Sequence, residues 1–338
     1  MFSDRKLTSN QRLNTVKSID DVVQTTNDDM QLVNQTIRNS LDSHVVLIRQ
    51  ISEYIINSGG KRLRPILVTL MAQALNYKGK DHIQLAAIIE FIHTATLLHD
   101  DVVDESDMRR GNKTANEVWG NSASVLVGDF LYSRSFQMMV KIQNLEVMNI
   151  LANATNTISE GEVLQLLNIG NLDISEQQYY RIIQNKTAQL FEAGCQLSAL
   201  ISCNDKETIK KMALYGQYLG MAFQIADDML DYAIDNKELD KNIGDDLAEG
   251  KLTLPLIYLL ENGTLADKEI ITQAIQSQST KHLKTIQKRI NETSALEYTQ
   301  KKANNFAKLA QQQLGALPES QAKNALLFLC DFACHRNN

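Results

Sequence analysis

Two acidic clusters close otherwise apolar runs of this chain. One is His99-Asp100-Asp101-Val102-Val103-Asp104 and the other is Ala226-Asp227-Asp228-Met229-Leu230-Asp231. Both contain the pattern DDxxD. On a helix, residues i and i+4 share a face, while residue i+1 points about 100° away. Asp100 and Asp104 therefore project together, as do Asp227 and Asp231, and Asp101 and Asp228 lie to the side. Carboxylates crowded in this way repel one another and are costly in a low-dielectric setting unless cations neutralise them. All-oxygen donors favour Mg²⁺, Mn²⁺ or Ca²⁺ over zinc, and Mg²⁺ is usually held by one or two carboxylates together with substrate phosphates. A single DDxxD is often only a solvated helix end. Two of them, each ending an apolar helix, point to paired metal sites. An EF-hand does not fit, because the loop spacing and its glycine are missing.

Basic residues complete the pattern. Lys61, Arg62 and Arg64 lie in GGKRLRP, Arg109 and Arg110 follow the first motif, and Lys186, Lys241 and Lys251 are further candidates. Guanidinium forks match phosphate oxygens. His93 lies two turns before Asp100 and is read as facing the same cavity, against the plainer alternative of a satisfied core histidine. Ala95 and Thr96 precede the first motif by one turn, and Gln224 precedes the second. Gly216 and Gly220 would allow close helix approach. The charges balance only when metal and an anionic substrate arrive together. No GxxxxGK[ST] occurs, so a nucleotide-cradling loop is not supported.

These residues need helices to position them. The chain has 338 residues, 43% of them hydrophobic, with only three prolines. Residues 1 to about 27 are polar and read as a mobile extension. Helices are expected over 29–57, 66–76, 82–104, 114–137, 143–169, 175–203 and 206–233. A charged loop follows over about 234–252, then further helices. Strand-like alternation and low-complexity linkers are both missing, so the reading is one all-α domain. The net charge of −6 gives no general attraction to nucleic acid or anionic lipid. No apolar run approaches the roughly 20 residues that span a bilayer, and the N-terminus does not read as a secretory signal. Four cysteines without a CxxC pair suggest reduced thiols and a cytoplasmic protein. CDFACH, lacking a second half-site, reads as helix rather than metal site.

The segments GGKRLRP, FIHTATLLHDDVVDESDMRRG, ASVLVGDFLYSRSFQMM, EGEVLQLLN, KTAQLFEAG, FQIADDMLDY and KNIGDDLAEGKLTLPL occur in this order. Together they resemble the trans-prenyl diphosphate synthases, the polyprenyl branch in particular, over nearly the whole chain. Asp240 and Leu252 depart from the usual glycine and proline. The resemblance implies a bundle of long antiparallel helices around a central cavity, and a homodimer. It implies condensation of an allylic diphosphate, farnesyl diphosphate for preference, with successive isopentenyl diphosphates. The expected product is octaprenyl diphosphate for the ubiquinone side chain.

On this resemblance Asp100 and Asp104 hold two Mg²⁺ ions and Asp227, helped by Asp231, holds a third, with Mn²⁺ as a substitute. Asp101 and Asp228 complete the catalytic motifs. Arg109, Lys186, Thr187, Gln224 and Lys241 contact the allylic diphosphate, with Lys251 a further candidate. Lys61, Arg64, His93 and Arg110 bind isopentenyl diphosphate. A small Ala95, with Thr96, leaves the product tunnel open at its top, and Phe136, Met139 or Leu151 form its floor. Release of so apolar a product implies transient membrane contact. A histidine-rich HD-type phosphohydrolase is disfavoured because the second motif has no histidine. A non-catalytic partner subunit would be expected to lose its acidic motifs. GGKRLRP and His93, as a second diphosphate site, argue against a terpene cyclase.

Overall fold

The helical reading extends over nearly every segment named above. The computed structural model describes residues 16–57, 59–109, 111–232 and 244–335. Within these the chain forms α1 (Ile19–Ser40), α2 (Val46–Asn57), α3 (Leu63–Ala74), α4 (Asp81–Val103), α5 (Ala115–Trp119), α6 (Asn121–Ile142), α7 (Leu145–Leu167) and α8 (Glu176–Ile183). A π-helical turn, Gln184–Ala188, leads into α9 (Gln189–Ser202). Then come α10 (Lys206–Leu230), α11 (Asp245–Ala248), α12 (Leu254–Asn262), α13 (Leu265–Ser277), α14 (Leu283–Glu292), α15 (Ala295–Gln313) and α16 (Gln321–Cys334). Among the described residues, extended structure is limited to β1 (Met108–Arg109) paired antiparallel with β2 (Asn112–Lys113), which turns the chain after the first motif.

Boundaries differ from expectation where side chains compete with the helical ladder. Helix α1 starts at Ile19, well inside the segment expected to be mobile, because Ser18 and Asp21 form a reciprocal capping box. The expected helix 29–57 breaks after Ser40, and Ser43 Oγ accepts the Val45 N–H in the break. The expected helix 114–137 breaks at Gly120, whose φ of +86° suits glycine.

Helix α4 is the centre of one apolar cluster. Leu85, Ile88, Ile89, Phe91 and Ile92 are all fully buried, as its all-round apolar sequence requires. It packs on α1, α3, α6 and α9. Helix α10 occupies a second cluster, with Tyr215, Leu219 and Ile225 buried against α9, α15 and α16. Each of these helices ends in an acidic motif. A helix C-terminus carries the negative end of its dipole, so carboxylates there are disfavoured unless cations compensate.

Candidate active site

Cations compensate the first motif one by one. Lys186 Nζ lies 3.5 Å from Asp100 and 2.6 Å from Glu162 of α7. Arg109, in the β-turn that follows α4, pairs with Asp101 at 2.6 Å through Nη2 and at 2.7 Å through Nε. Lys251 reaches Asp104 at 3.1 Å and also pairs with Glu249. The helical geometry expected from sequence is present: Asp101 is completely buried, whereas Asp100 and Asp104 keep 17% of their side-chain surface exposed. Burial raises the Asp101 carboxyl and Arg109 pulls it down, leaving a net rise. Burial would lower the Lys186 ammonium, but Asp100 and Glu162 hold it above its ordinary value.

The second motif is arranged differently. Asp227 is partly exposed at the end of α10. Asp228 is buried and accepts from Tyr179 Oη at 2.5 Å and Gln224 Nε2 at 2.7 Å. Thr187 Oγ1 in turn donates to Gln224 Oε1 at 2.9 Å. Burial pushes the Asp228 carboxyl well up, and Asp246 adds to the rise. Asp231 was expected to help Asp227 hold a metal. It is 2% exposed, and its two oxygens accept the backbone N–H groups of Gly244 and Asp246 at 3.1 and 3.2 Å.

Lys186 and Thr187 sit in the π-helical turn, a local widening that often marks functional positions. Glycines on the two flanking helices admit it. A Cβ on Gly161 of α7 would lie 2.6 Å from Lys186 N, and one on Gly220 of α10 would lie 2.6 Å from Ala188 Cα. Close approach at Gly216 is equally tight, against Phe191 O. The anticipated use of Gly216 and Gly220 is thus present in the packing.

The expected second diphosphate pocket is assembled in part. Arg64 Nη1 lies 2.9 Å from His93 Nε2, and its guanidinium stacks on Phe191. Lys61 lies over the Phe332 ring at 4.9 Å. Arg62 takes a structural task, adopting a left-handed φ and bonding Asn34 and the Ile56 carbonyl. His93 was expected to face the same cavity as Asp100 and here meets the motif at its second aspartate. It lines a small cleft with Leu97, Asp101 and Arg109. Asp100 lines another cavity, of about 540 Å³, with Thr96, His99, Tyr132, Ile158 and Glu162. The two residues are two turns apart along α4. Arg110, Lys241 and Asp240 lie outside the described residues.

Of the chain-length candidates, Thr96 lines the larger cavity. Ala95 does not: it is fully buried in the α4 core. Met139 and Leu151 are also buried in that core, and Phe136 is 44% exposed on α6. Met139, Leu151 and Phe136 do not line this cavity. Leu252, the departure from proline, is buried in the cluster around α10.

Sequence reasoning gave no role to Glu162, Tyr179, Asp246 or Glu249. Glu162 lies in the EGEVLQLLN segment, but its pairing with Lys186 depends on α7 lying beside the π-turn. Burial pushes its carboxyl up to about 7, Lys186 opposes the shift, and Asp100 and Asp104 reinforce it. Because the folded value exceeds the unfolded one near 4.5, ionised Glu162 destabilises the metal-free protein. That cost is absent below the unfolded value, grows as pH rises and is complete above about 7. Glu162→Gln is expected to stabilise chelator-treated protein by about 1–3 kcal/mol at pH 8, and to lose that gain in acid. Thermal melts at the two pH values test this, and a gain of equal size at both would refute it.

Among the described residues no three His, Cys, Asp or Glu side chains converge as a closed metal cage. The donor set is oxygen-only and too negative for its cations: five carboxylates (Asp100, Asp101, Asp104, Glu162, Glu249) meet Lys186, Arg109 and Lys251. That surplus suits an open divalent-cation site completed by phosphate oxygens. No described helix is long and apolar enough to cross a membrane.

Comparison with known proteins follows the same lines. The family model described as polyprenyl synthetase matches residues 45–293. Octaprenyl diphosphate synthase of Escherichia coli (strain K12) is 47% identical over 321 residues, covering 95% of this chain and 99% of that protein. The geranyl-diphosphate-specific all-trans-nonaprenyl-diphosphate synthase of Rhodobacter capsulatus is 41% identical, covering 91% and 95%. The crystal structure of polyprenyl synthase from Caulobacter crescentus CB15, complexed with calcium and isoprenyl diphosphate, gives a TM-score of 0.92 at 40% identity, covering 96% of this chain and 100% of that one.

Proposed function

The chain belongs to the polyprenyl synthetase family, and we propose that its product is all-trans octaprenyl diphosphate, made from farnesyl diphosphate for a quinone side chain. It is a prenyltransferase that condenses an allylic diphosphate with isopentenyl diphosphates to a long-chain polyprenyl diphosphate. The E. coli relative supports an octaprenyl length, and the nonaprenyl relative sets the nearest alternative. We read residues 1–338 as one synthase domain.

The observation that carries the reading is the lattice of Lys186, Arg109 and Lys251 over the first motif. Asp100, Asp104 and Asp227 are the proposed holders of Mg²⁺, about three ions per site, with Mn²⁺ as substitute. When bound, such ions neutralise the diphosphate and ease loss of the C–O bond. Lys186 and Lys251, with Thr187, Gln224, Arg109 and Lys241, are the proposed ligands of the allylic diphosphate. Arg64, His93, Lys61 and Arg110 receive isopentenyl diphosphate. Its double bond attacks the allylic cation, and the adduct loses a proton to the released diphosphate. No side-chain nucleophile is required, and the buried walls of α4 exclude water that would quench the cation.

A homodimer fits the exposed apolar side chains Leu126, Phe136 and Val140 of α6 and Leu145 of α7. Sedimentation at twice the 38.0 kDa chain mass is expected, and a monomer at micromolar concentration would remove this assignment. Product release is proposed to involve membrane contact, so detergent should accelerate turnovers after the first. The deciding experiment supplies farnesyl diphosphate, labelled isopentenyl diphosphate and Mg²⁺, then resolves products by length. A dominant octaprenyl product lost in EDTA supports the full reading. Failure to incorporate isopentenyl units with any allylic starter would overturn it.

A further inference from the structure

We propose that Asp231 is a positioning residue: it fixes the segment that carries Lys251 to the first motif, and does not bind metal. The proposal rests on the synthase reading above and refines one residue of it. Helix α11 has only four residues, Asp245–Ala248, and is preceded by Gly244 with φ +91°. The first N–H groups of a helix have no partner within it. A glycine at the N-cap has no side chain to supply one, and no side-chain cap bond is present there. Asp231 supplies acceptors from the end of α10 instead, one oxygen to Gly244 N–H and the other to Asp246 N–H.

The anchored turn then holds Lys251. The Lys251 N–H donates to the Asp246 carbonyl at 2.8 Å, and Gly250 N–H donates to the Leu247 carbonyl. From that backbone Lys251 Nζ reaches Asp104 at 3.1 Å. A continuous path therefore runs from the last carboxylate of one motif to the last carboxylate of the other. The two DDxxD sequences look alike, yet Asp104 meets a lysine side chain while Asp231 meets backbone amides in a site only 2% exposed.

Asp231→Asn keeps the size of the side chain but turns one acceptor into a donor facing an N–H. Hydrogen exchange of metal-free protein in chelator is the first readout. The amides of Gly244, Asp246 and Lys251 should exchange about tenfold faster or more in the variant. The second readout is Mg²⁺ dependence, whose half-saturation should stay within about twofold while kcat falls. The third is coupling: Lys251→Ala should cost much less in the Asp231→Asn background than in the wild type, which simple destabilisation would not produce. Unchanged protection over 244–251, or a Mg²⁺ half-saturation raised about tenfold with protection intact, would overturn the proposal. Asp100→Asn serves as the control on the parent reading. If that variant leaves Mg²⁺ dependence unmoved, the metal assignment of the first motif fails, whatever the exchange data show for Asp231.

Discussion

Asp100→Ala is expected to lower kcat by about 10³-fold or more while leaving the thermal midpoint of the metal-free protein nearly unchanged. The separation of the two effects follows from position. Asp100 faces the 540 Å³ cavity, partly exposed, and shares Lys186 with Glu162. Removing it takes one negative charge from a site that already holds more carboxylates than cations, and Lys186 keeps Glu162 as its partner. The folded state therefore loses little. The reaction loses a proposed metal holder at the point where diphosphate charge develops. Asp101→Ala should behave in the opposite sense. Asp101 is fully buried on Arg109, so its loss strips the guanidinium of two bonds and costs stability, about 1–2 kcal/mol because Arg109 is partly hydrated. Single-turnover formation of the first condensation product, measured beside thermal melts, distinguishes the variants. More than a tenth of wild-type activity in Asp100→Ala would contradict the role assigned to Asp100.

That contrast within one motif shows what the sequence could convey. The i, i+4 rule separated Asp100 and Asp104 from Asp101 correctly, because it depends only on local helix geometry. For Asp231 the same rule does not reach the observed contacts. There the deciding partners are the amides of Gly244 and Asp246, contributed by a return of the chain that no local pattern encodes. Glu162 was invisible for the same reason, since its significance comes from the Lys186 ammonium on the neighbouring π-turn. The turn itself left a trace in Gly161 and Gly220, but spacing alone does not reveal a widened helix. Helix boundaries were legible where apolar periodicity ran long, as in α4 and α10. They were lost where a short polar side chain, Ser18 or Ser43, redirected one backbone group.

The second large effect concerns product length, and it falls on Thr96 rather than Ala95. Thr96→Phe is expected to move the dominant product from the proposed octaprenyl length to markedly shorter chains without unfolding the protein. Thr96 Oγ1 already donates to the His93 carbonyl at 2.8 Å, so its polar group is satisfied within the helix while the residue lines the cavity beside Asp100. A phenyl ring there would fill part of this cavity, into which the growing chain is proposed to extend. Each five-carbon unit buried in that space gains about 4 kcal/mol, from about 0.8 kcal/mol per CH₂. A wall that denies burial to the next unit removes that gain, and release then competes with extension. Ala95→Phe meets a different environment. Ala95 is fully buried among the core residues of α4, so a ring there overpacks the core and costs about 1–3 kcal/mol, with product length unchanged in the protein that folds. The product distribution of the two variants, each compared with its thermal midpoint, decides the matter. Shortening in Ala95→Phe with wild-type stability, and none in Thr96→Phe, would place the path of the chain on the other side of α4, away from the cavity that Thr96 and Asp100 share.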